Sequence, residues 1–258
     1  NPIIKECLKF LQIDEKLYIS TISDVPGSTG LGSSSSFCVG LLNALYKLKG
    51  ETVSNQRLAE EASHVEINLL KKPIGKQDQY ASAFGGINFI RFNANETVDI
   101  NPVNIRKESL LKLKNYILIF WSNVQRSADQ ILEEQRSNSK INNENLITIR
   151  NYTEEIKINF ENHKLSPKLI GSLLDKGWQL KKTFASKISN SNINKAYSKS
   201  LKYGAYGGKI LGAGGGGFLM LIAKPSLHKT IEKQLKTVNY QKINFEFDSL
   251  GTSVTNFD

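Results

Sequence analysis

Apolar residues recur at helical spacing in several stretches of the chain. Ile4, Leu8 and Leu11 form a stripe through Pro2–Gln12. Phe37, Leu41, Leu45 and Leu48 predict a helix over Ser34–Lys49, with Gly50 as its stop. Leu58, Ala62, Val65 and Leu69 predict another over Asn55–Leu70, broken by Pro73 and Gly75. Gln77–Phe84 reads as a short helix before a Gly85-Gly86 turn. Further helices are expected at Ala128–Arg136 (a capping box from Ser127 and Gln130), at Asn145–His163 and from a Ser166-Pro167 cap to about Lys187. Two more are expected at Asn194–Tyr203 and from Ser226 to Lys236.

Period-two or short apolar runs predict strands at Leu17–Ser23, Ile87–Phe92, Tyr116–Trp121 and Phe218–Ala223, and around Ile243, Phe245 and Phe247. Strands do not alternate regularly with helices, so the expected class is α+β rather than a doubly wound sheet. The polar stretch Asn93–Lys114, with Pro102, marks a boundary between expected domains at 1–105 and 106–258.

Charge narrows the partners. The 258 residues hold 34 Lys+Arg against 24 Asp+Glu, a net +10, which suits an anion: nucleic acid, a membrane surface or a phosphorylated metabolite. The basic residues are dispersed, and no basic-aromatic module of a nucleic-acid binder is present. No apolar run approaches a membrane span. Two cysteines, Cys7 and Cys38, are too few for a disulfide scaffold and point to a reducing, cytoplasmic setting.

The strongest chemical signal is the loop Asp24–Ser36, with three glycines and five serines, opening directly onto a helix. Its glycines let the backbone approach a ligand, the helix offers free N–H groups and the positive end of its dipole, and the serines add donors or a ligand for Mg²⁺. That makes an anion cradle suited to a triphosphate. Gly27 and Gly32 have P-loop spacing, but Ser33-Ser34 replace the Lys-Ser/Thr of that motif; Ser35 stands where a dinucleotide fingerprint needs its third glycine.

Two carboxylates stand apart. Glu60, Glu61, His64 and Asn68 share a polar helix face, whereas Glu66 has Ala62, Leu69 and Leu70 as neighbours. Such a carboxylate needs a cation or metal, unless it reaches solvent past the helix edge. Asp78 starts a helix after a turn and next to Lys76; it is either a cap or a base for a hydroxyl. Gly212–Gly217 matches GxGxxG, but a strand follows it rather than a helix. It is either a flexible turn or a close approach of two backbones, packing against Pro26–Ser36. Arg126 is placed to hold a substrate phosphate or else is a surface residue; Lys71-Lys72 and Lys181-Lys182 read as solvated faces.

These residues resemble the GHMP small-molecule kinases. Pro26–Ser36 is similar to their second motif and Lys209–Ala223 to their third. The phrases at 75–86, Gln125–Leu132 and 204–218 resemble the branch acting on D-glycero-D-manno-heptose 7-phosphate, with fucokinases similar at the same places. The resemblance implies the two-domain GHMP fold: a ribosomal-S5-like N-terminal domain and a ferredoxin-like C-terminal domain. It implies ATP- and Mg²⁺-dependent phosphorylation of an anomeric hydroxyl, with ATP and a sugar phosphate as partners, no nucleic acid or membrane, and a homodimer as an allowed assembly.

By motif position, Asp78 is the catalytic residue, and Ser34 and Glu66 ligate Mg²⁺. Pro26, Gly27, Gly30, Leu31, Gly32, Ser33, Ser34 and Ser35 hold ATP. Gln77, Arg126, Lys209, Gly214, Gly215 and Gly216 meet the substrate. The family's Arg-rich first motif has no counterpart, so the expectation is an N-terminal domain without its first strands.

Overall fold

The computed structural model describes residues 1–25, 27, 29–162 and 165–256. Pro26 and His163 therefore lie outside the described residues. The chain divides into two compact units, one formed by 1–27, 32–102 and 246–258, the other by 28–31 and 103–245.

The first unit is mainly helical. Asn1 Oδ1 accepts from the Ile3 N–H at 2.9 Å, and Pro2 takes the first position of α1 (Pro2–Phe10). Helix α2 (Ser33–Leu48) packs on α1 and against α3 (Asn55–Ser63) and α4 (Gln77–Phe84), which also pack on each other. Their shared core includes Cys38, Val39, Leu42, Ala59, Ala62, Val65 and Ala83, none with exposed surface. The Cys7 and Cys38 thiols meet inside it, 3.9 Å apart. A hairpin of β1 (Asn88–Phe92) and β2 (Val98–Pro102) pairs antiparallel, Ile90 opposite Ile100. Residues 246–256 return to this unit, where the Gly86 N–H donates to Asp248 O at 2.7 Å.

The second unit is a four-stranded antiparallel sheet, order β4-β5-β3-β6: β3 (Ile117–Trp121), β4 (Ala205–Ile210), β5 (Phe218–Ala223) and β6 (Gln241–Ile243). Leu118 lies opposite Leu221 and Phe120 opposite Leu219, all in one buried cluster with Trp178, Tyr197, Ile231 and Leu235. Ile117 and Ile222 join a separate cluster with Leu113, Leu165 and Ile170. The helices are α5 (Lys107–Tyr116), α6 (Asp129–Ser137), α7 (Asn143–Glu161), α8 (Pro167–Lys181), α9 (Ser191–Lys202) and α10 (His228–Lys236). Ser166 caps α8, accepting from the Leu169 N–H. This mixture of helices and antiparallel sheet bears out the α+β class.

Several elements differ from the sequence reading. Leu17–Ser23 forms no strand: Leu17 and Ile19 pack on the first core, but Tyr18 and Ile22 are 95% and 97% exposed, and no described strand pairs with them. The polar boundary region contains β2 and α5. Strand β4 begins right after Gly204, where glycines hid it. The capping box is not formed, because Gln130 Oε1 accepts from Lys187 instead. Helix α8 ends at Lys181, and Ser226 sits in a 3₁₀ turn ahead of α10. Strand β6 stops at Ile243, and residues beyond Phe245 belong to the first unit.

The predicted helix over Asn55–Leu70 is α-helical only to Ser63. His64–Leu69 is a π turn, closed by Leu70 N–H to Val65 O at 2.9 Å and Lys72 N–H to Glu66 O at 3.0 Å. Such turns widen a helix locally and redirect its side chains.

Candidate functional site

In the first unit, Gly32 sits at the N-cap of α2 with φ +69°, and no side chain among the described residues caps the helix. That backbone is in the left-handed region, which glycine adopts without penalty. The first-turn N–H groups of α2 therefore have no intrahelical partner, at the positive end of the dipole. Ser34, in that turn, is exposed, and its hydroxyl donates to Glu66 Oε1 at 2.5 Å.

Glu66 has no exposed surface. The π turn aims it inward while Leu69 is 39% exposed, the reverse of an ordinary amphipathic helix. Burial alone would push its carboxyl up, but hydrogen bonds from Ser34, Ser35 and Lys72, with the ammonium charge of Lys72, outweigh burial and hold it below the usual carboxylate range. Lys72 Nζ lies 2.9 Å from Glu66 Oε1 and donates to Ser34 Oγ at 2.6 Å. Gln79 Nε2 donates to Glu66 Oε2 at 2.7 Å.

Asp78, in the first turn of α4, is exposed. Its side chain lies against Gly32: a Cβ there would come within 3.0 Å of Asp78 Cγ and 3.1 Å of Oδ2. The Ser82 hydroxyl donates to Asp78 O at 2.7 Å and meets the Ser36 hydroxyl at 2.8 Å. Gln77 is exposed at the start of α4, and Lys76 pairs with Glu96 at 2.5 Å. Gly32, Ser34, Glu66 and Asp78 are thus gathered at one helix end. A carboxylate and a hydroxyl beside free N–H groups form a hard-oxygen cation seat next to an anion cradle.

In the second unit, the glycine run packs on Thr29–Gly30. A Cβ on Gly212 would lie 2.6 Å from Gly30 O, and one on Gly217 would lie 2.1 Å from Thr29 O. The run is a bonded loop rather than a flexible turn. Arg126 Nε donates to Gly214 O, Gly215 N–H donates to Ile188 O at 2.8 Å, and Asn190 Nδ2 donates to Gly215 O at 3.3 Å. Gly216 lies against Val124.

Arg126 Nη2 is buried with no hydrogen-bond partner among the described residues, and burial pulls the guanidinium below its ordinary value. It is 3.3 Å from where a Gly30 Cβ would stand. Lys209, half-buried on β4 opposite Met220, is likewise lowered by burial. Gly27 and Leu31 are exposed.

Two family models match the chain. Residues 2–86 match the GHMP kinases N terminal domain and residues 159–241 the GHMP kinases C terminal domain. The chain belongs to the GHMP kinases. These are ATP-dependent small-molecule kinases, as the motif resemblance implied. Among curated relatives, the D-glycero-alpha-D-manno-heptose 7-phosphate kinase of Campylobacter jejuni is 29% identical over 253 residues, covering 97% of this chain and 73% of that one. The bifunctional fucokinase/GDP-fucose pyrophosphorylase of Arabidopsis thaliana is 26% identical over 81% of this chain but only 20% of its own length. Among solved structures, a D-glycero-D-manno-heptose 1-phosphate kinase from Bacteroides thetaiotaomicron superposes with TM-score 0.78 at 22% identity, covering 100% of this chain and 75% of that one. That likeness bears out the two-domain GHMP kinase fold.

Two residues around Glu66 escaped the sequence reading. Lys72 read as half of a solvated lysine pair, yet it bridges Ser34 and Glu66. Gln79 was not singled out at all, yet it is fully buried on Glu66. Only the apolar border of Glu66, which called for a cation or a metal, hinted at Lys72, and nothing pointed to Gln79. Among the described residues, no helix is long and apolar enough to cross a membrane.

Proposed function

We propose that this GHMP kinase transfers the γ-phosphate of ATP to the anomeric hydroxyl of D-glycero-D-manno-heptose 7-phosphate, giving the 1,7-bisphosphate on the way to a nucleotide-activated heptose. The observation that carries the chemistry is Glu66: a fully buried carboxylate turned by a π turn onto Ser34, at the uncapped end of α2.

In this reading, residues 1–105 bind ATP and residues 106–258 complete the kinase. The loop residues Pro26, Gly27 and Gly30–Ser35 hold the nucleotide, with free N–H groups at the start of α2 meeting phosphate oxygens. Ser34 Oγ and Glu66 fit Mg²⁺. Both are hard oxygens, one carboxylate suffices beside substrate phosphates, and a cation already binds both atoms. Bound there, Mg²⁺ would neutralise charge building on the β- and γ-phosphates. Asp78 accepts the hydroxyl proton or orients the hydroxyl as the new O–P bond forms and the bond to the β-phosphate oxygen breaks. A loose transition state asks little of a base, so orientation is its larger part.

Arg126 and Lys209 support a phosphorylated sugar over a neutral one. A desolvated guanidinium with an unused donor is stabilised by an anion, which free fucose does not offer. Gln77 is assigned to the sugar. Gly214–Gly216 shape the substrate side through their backbone. The likeness to the Campylobacter jejuni enzyme supports the heptose 7-phosphate as substrate.

An ATP-consumption assay over heptose 7-phosphate, free fucose, galactose and mevalonate tests the assignment. Turnover is expected with the heptose phosphate; turnover with fucose and none with the heptose phosphate would reverse the substrate choice.

A further inference from the structure

Glu66 presents an electrostatic problem before any metal arrives. An isolated buried carboxylate is costly unless it is paired with a cation and hydrogen-bonded. Gln79 and Ser34 supply donors but no charge. The ion pair described for Glu66 is with Lys72, whose Nζ contacts Glu66 Oε1 at 2.9 Å and Ser34 Oγ at 2.6 Å. Those are the two groups assigned to the divalent cation.

We propose that Lys72 is a tethered counter-ion that fills the divalent cation's seat between Ser34 and Glu66 until the metal displaces it. The proposal rests on the reading of Ser34 and Glu66 as the metal ligands.

Three features suit Lys72 to that part. An ammonium is a compact point charge with three donors on a flexible stem, able to satisfy two oxygens at once and then leave. Its side chain is 29% exposed while that of Glu66 is fully buried, so a path to solvent is open to the lysine and not to the carboxylate. Its backbone N–H donates to Glu66 O at 3.0 Å, beyond the π turn. The released ammonium is therefore held nearby at high effective concentration. The kinase then carries a built-in competitor for the metal: it keeps Glu66 ionised and positioned without metal, and it weakens apparent metal affinity by the fraction of time it holds the seat.

Mn²⁺ binding, followed by water-proton relaxation without nucleotide, tests this with no activity readout. The expected result is that Lys72→Met binds Mn²⁺ about tenfold more tightly than the wild type, the gain from removing a competitor that holds the seat about nine-tenths of the time. Its melting temperature in EDTA should fall, and Mn²⁺ should restore it by more than in the wild type. Equal or weaker Mn²⁺ binding by Lys72→Met overturns the proposal, as does absence of Mn²⁺ binding in both proteins. If Lys72→Met does not fold, Lys72→Gln, which keeps a donor without the charge, is held to the same criterion. Glu66→Gln separates the two layers. It should lose Mn²⁺ binding; if it retains it, the ligand assignment itself is wrong. If it loses binding while Lys72→Met binds no more tightly than the wild type, the ligands stand and the counter-ion role falls.

Discussion

Gln79 Nε2 donates to Glu66 Oε2 at 2.7 Å, and neither side chain has any exposed surface. The other amide atom, Gln79 Oε1, has no hydrogen-bond partner among the described residues. Gln79 therefore holds one oxygen of the carboxylate while Ser34 and Lys72 act on the other. Partners of this kind typically matter ten- to a hundredfold to the site they orient. Gln79→Met, which keeps the volume, should lower kcat about tenfold or more. It should cost about 1–3 kcal/mol of stability for the lost hydrogen bond to a buried charge. Steady-state kinetics with a urea melt checks both; unchanged kcat in a folded variant would contradict the positioning role.

Asp78 is exposed and lies beside the backbone of Gly32. Asp78→Ala should leave the fold and ATP affinity intact, while turnover falls about a hundredfold or more, the usual range for a positioned acid–base group. Calorimetric titration with ATP and a coupled assay measure the two quantities separately. Full turnover would remove Asp78 from the chemistry.

The packing of Gly212 on Gly30 predicts a sharp contrast between two glycine substitutions. Gly212 has φ +69°, and a Cβ there would meet Gly30 O at 2.6 Å. Gly212→Ala should destabilise by about 2 kcal/mol or more, from left-handed strain plus the clash. Gly40, inside α2, has open space around its Cβ position, so Gly40→Ala should stabilise by about 0.5–1 kcal/mol. Chemical denaturation of both variants decides it.

His228 opens α10 with its Nε2 3.2 Å from Ala223 O. Burial, with the nearby Lys242 charge, holds the ring below its ordinary value, although the bond to Ala223 opposes the shift. The ring is neutral in both states well above about 6.5. As pH falls through that value the unfolded chain takes up a proton that the folded chain resists, so stability is lost on the acid side. His228→Gln should lose less melting temperature between pH 7.5 and 5 than the wild type. An equal loss would mean that His228 does not contribute.

What was legible in the sequence follows from where local chemistry decides structure. Helix α2 was readable because its apolar spacing, its serine-rich entry and Gly50 all agree. Ser166-Pro167 was readable as a cap because the side chain acts within three residues. Strand β4 was not, since Gly207 and Gly208 carry no apolar pattern and the strand is held by pairing with β5. Leu17–Ser23 misled for the opposite reason: it alternates, but a strand also needs a partner. The π turn has no local signature either, and it is the turn that carries Glu66 to Lys72 and Gln79. Glu66 itself was visible as a carboxylate on an apolar border, whereas the partners satisfying it come from beyond its own helix.

Phosphorus NMR of the protein with ATP, Mg²⁺ and D-glycero-D-manno-heptose 7-phosphate follows the proposed phosphoryl transfer itself. Transfer to the anomeric hydroxyl should show as growth of a new anomeric phosphate signal matched by ADP, with the 7-phosphate signal retained. ATP hydrolysis to inorganic phosphate alone, or an unchanged spectrum with ATP bound, would contradict it.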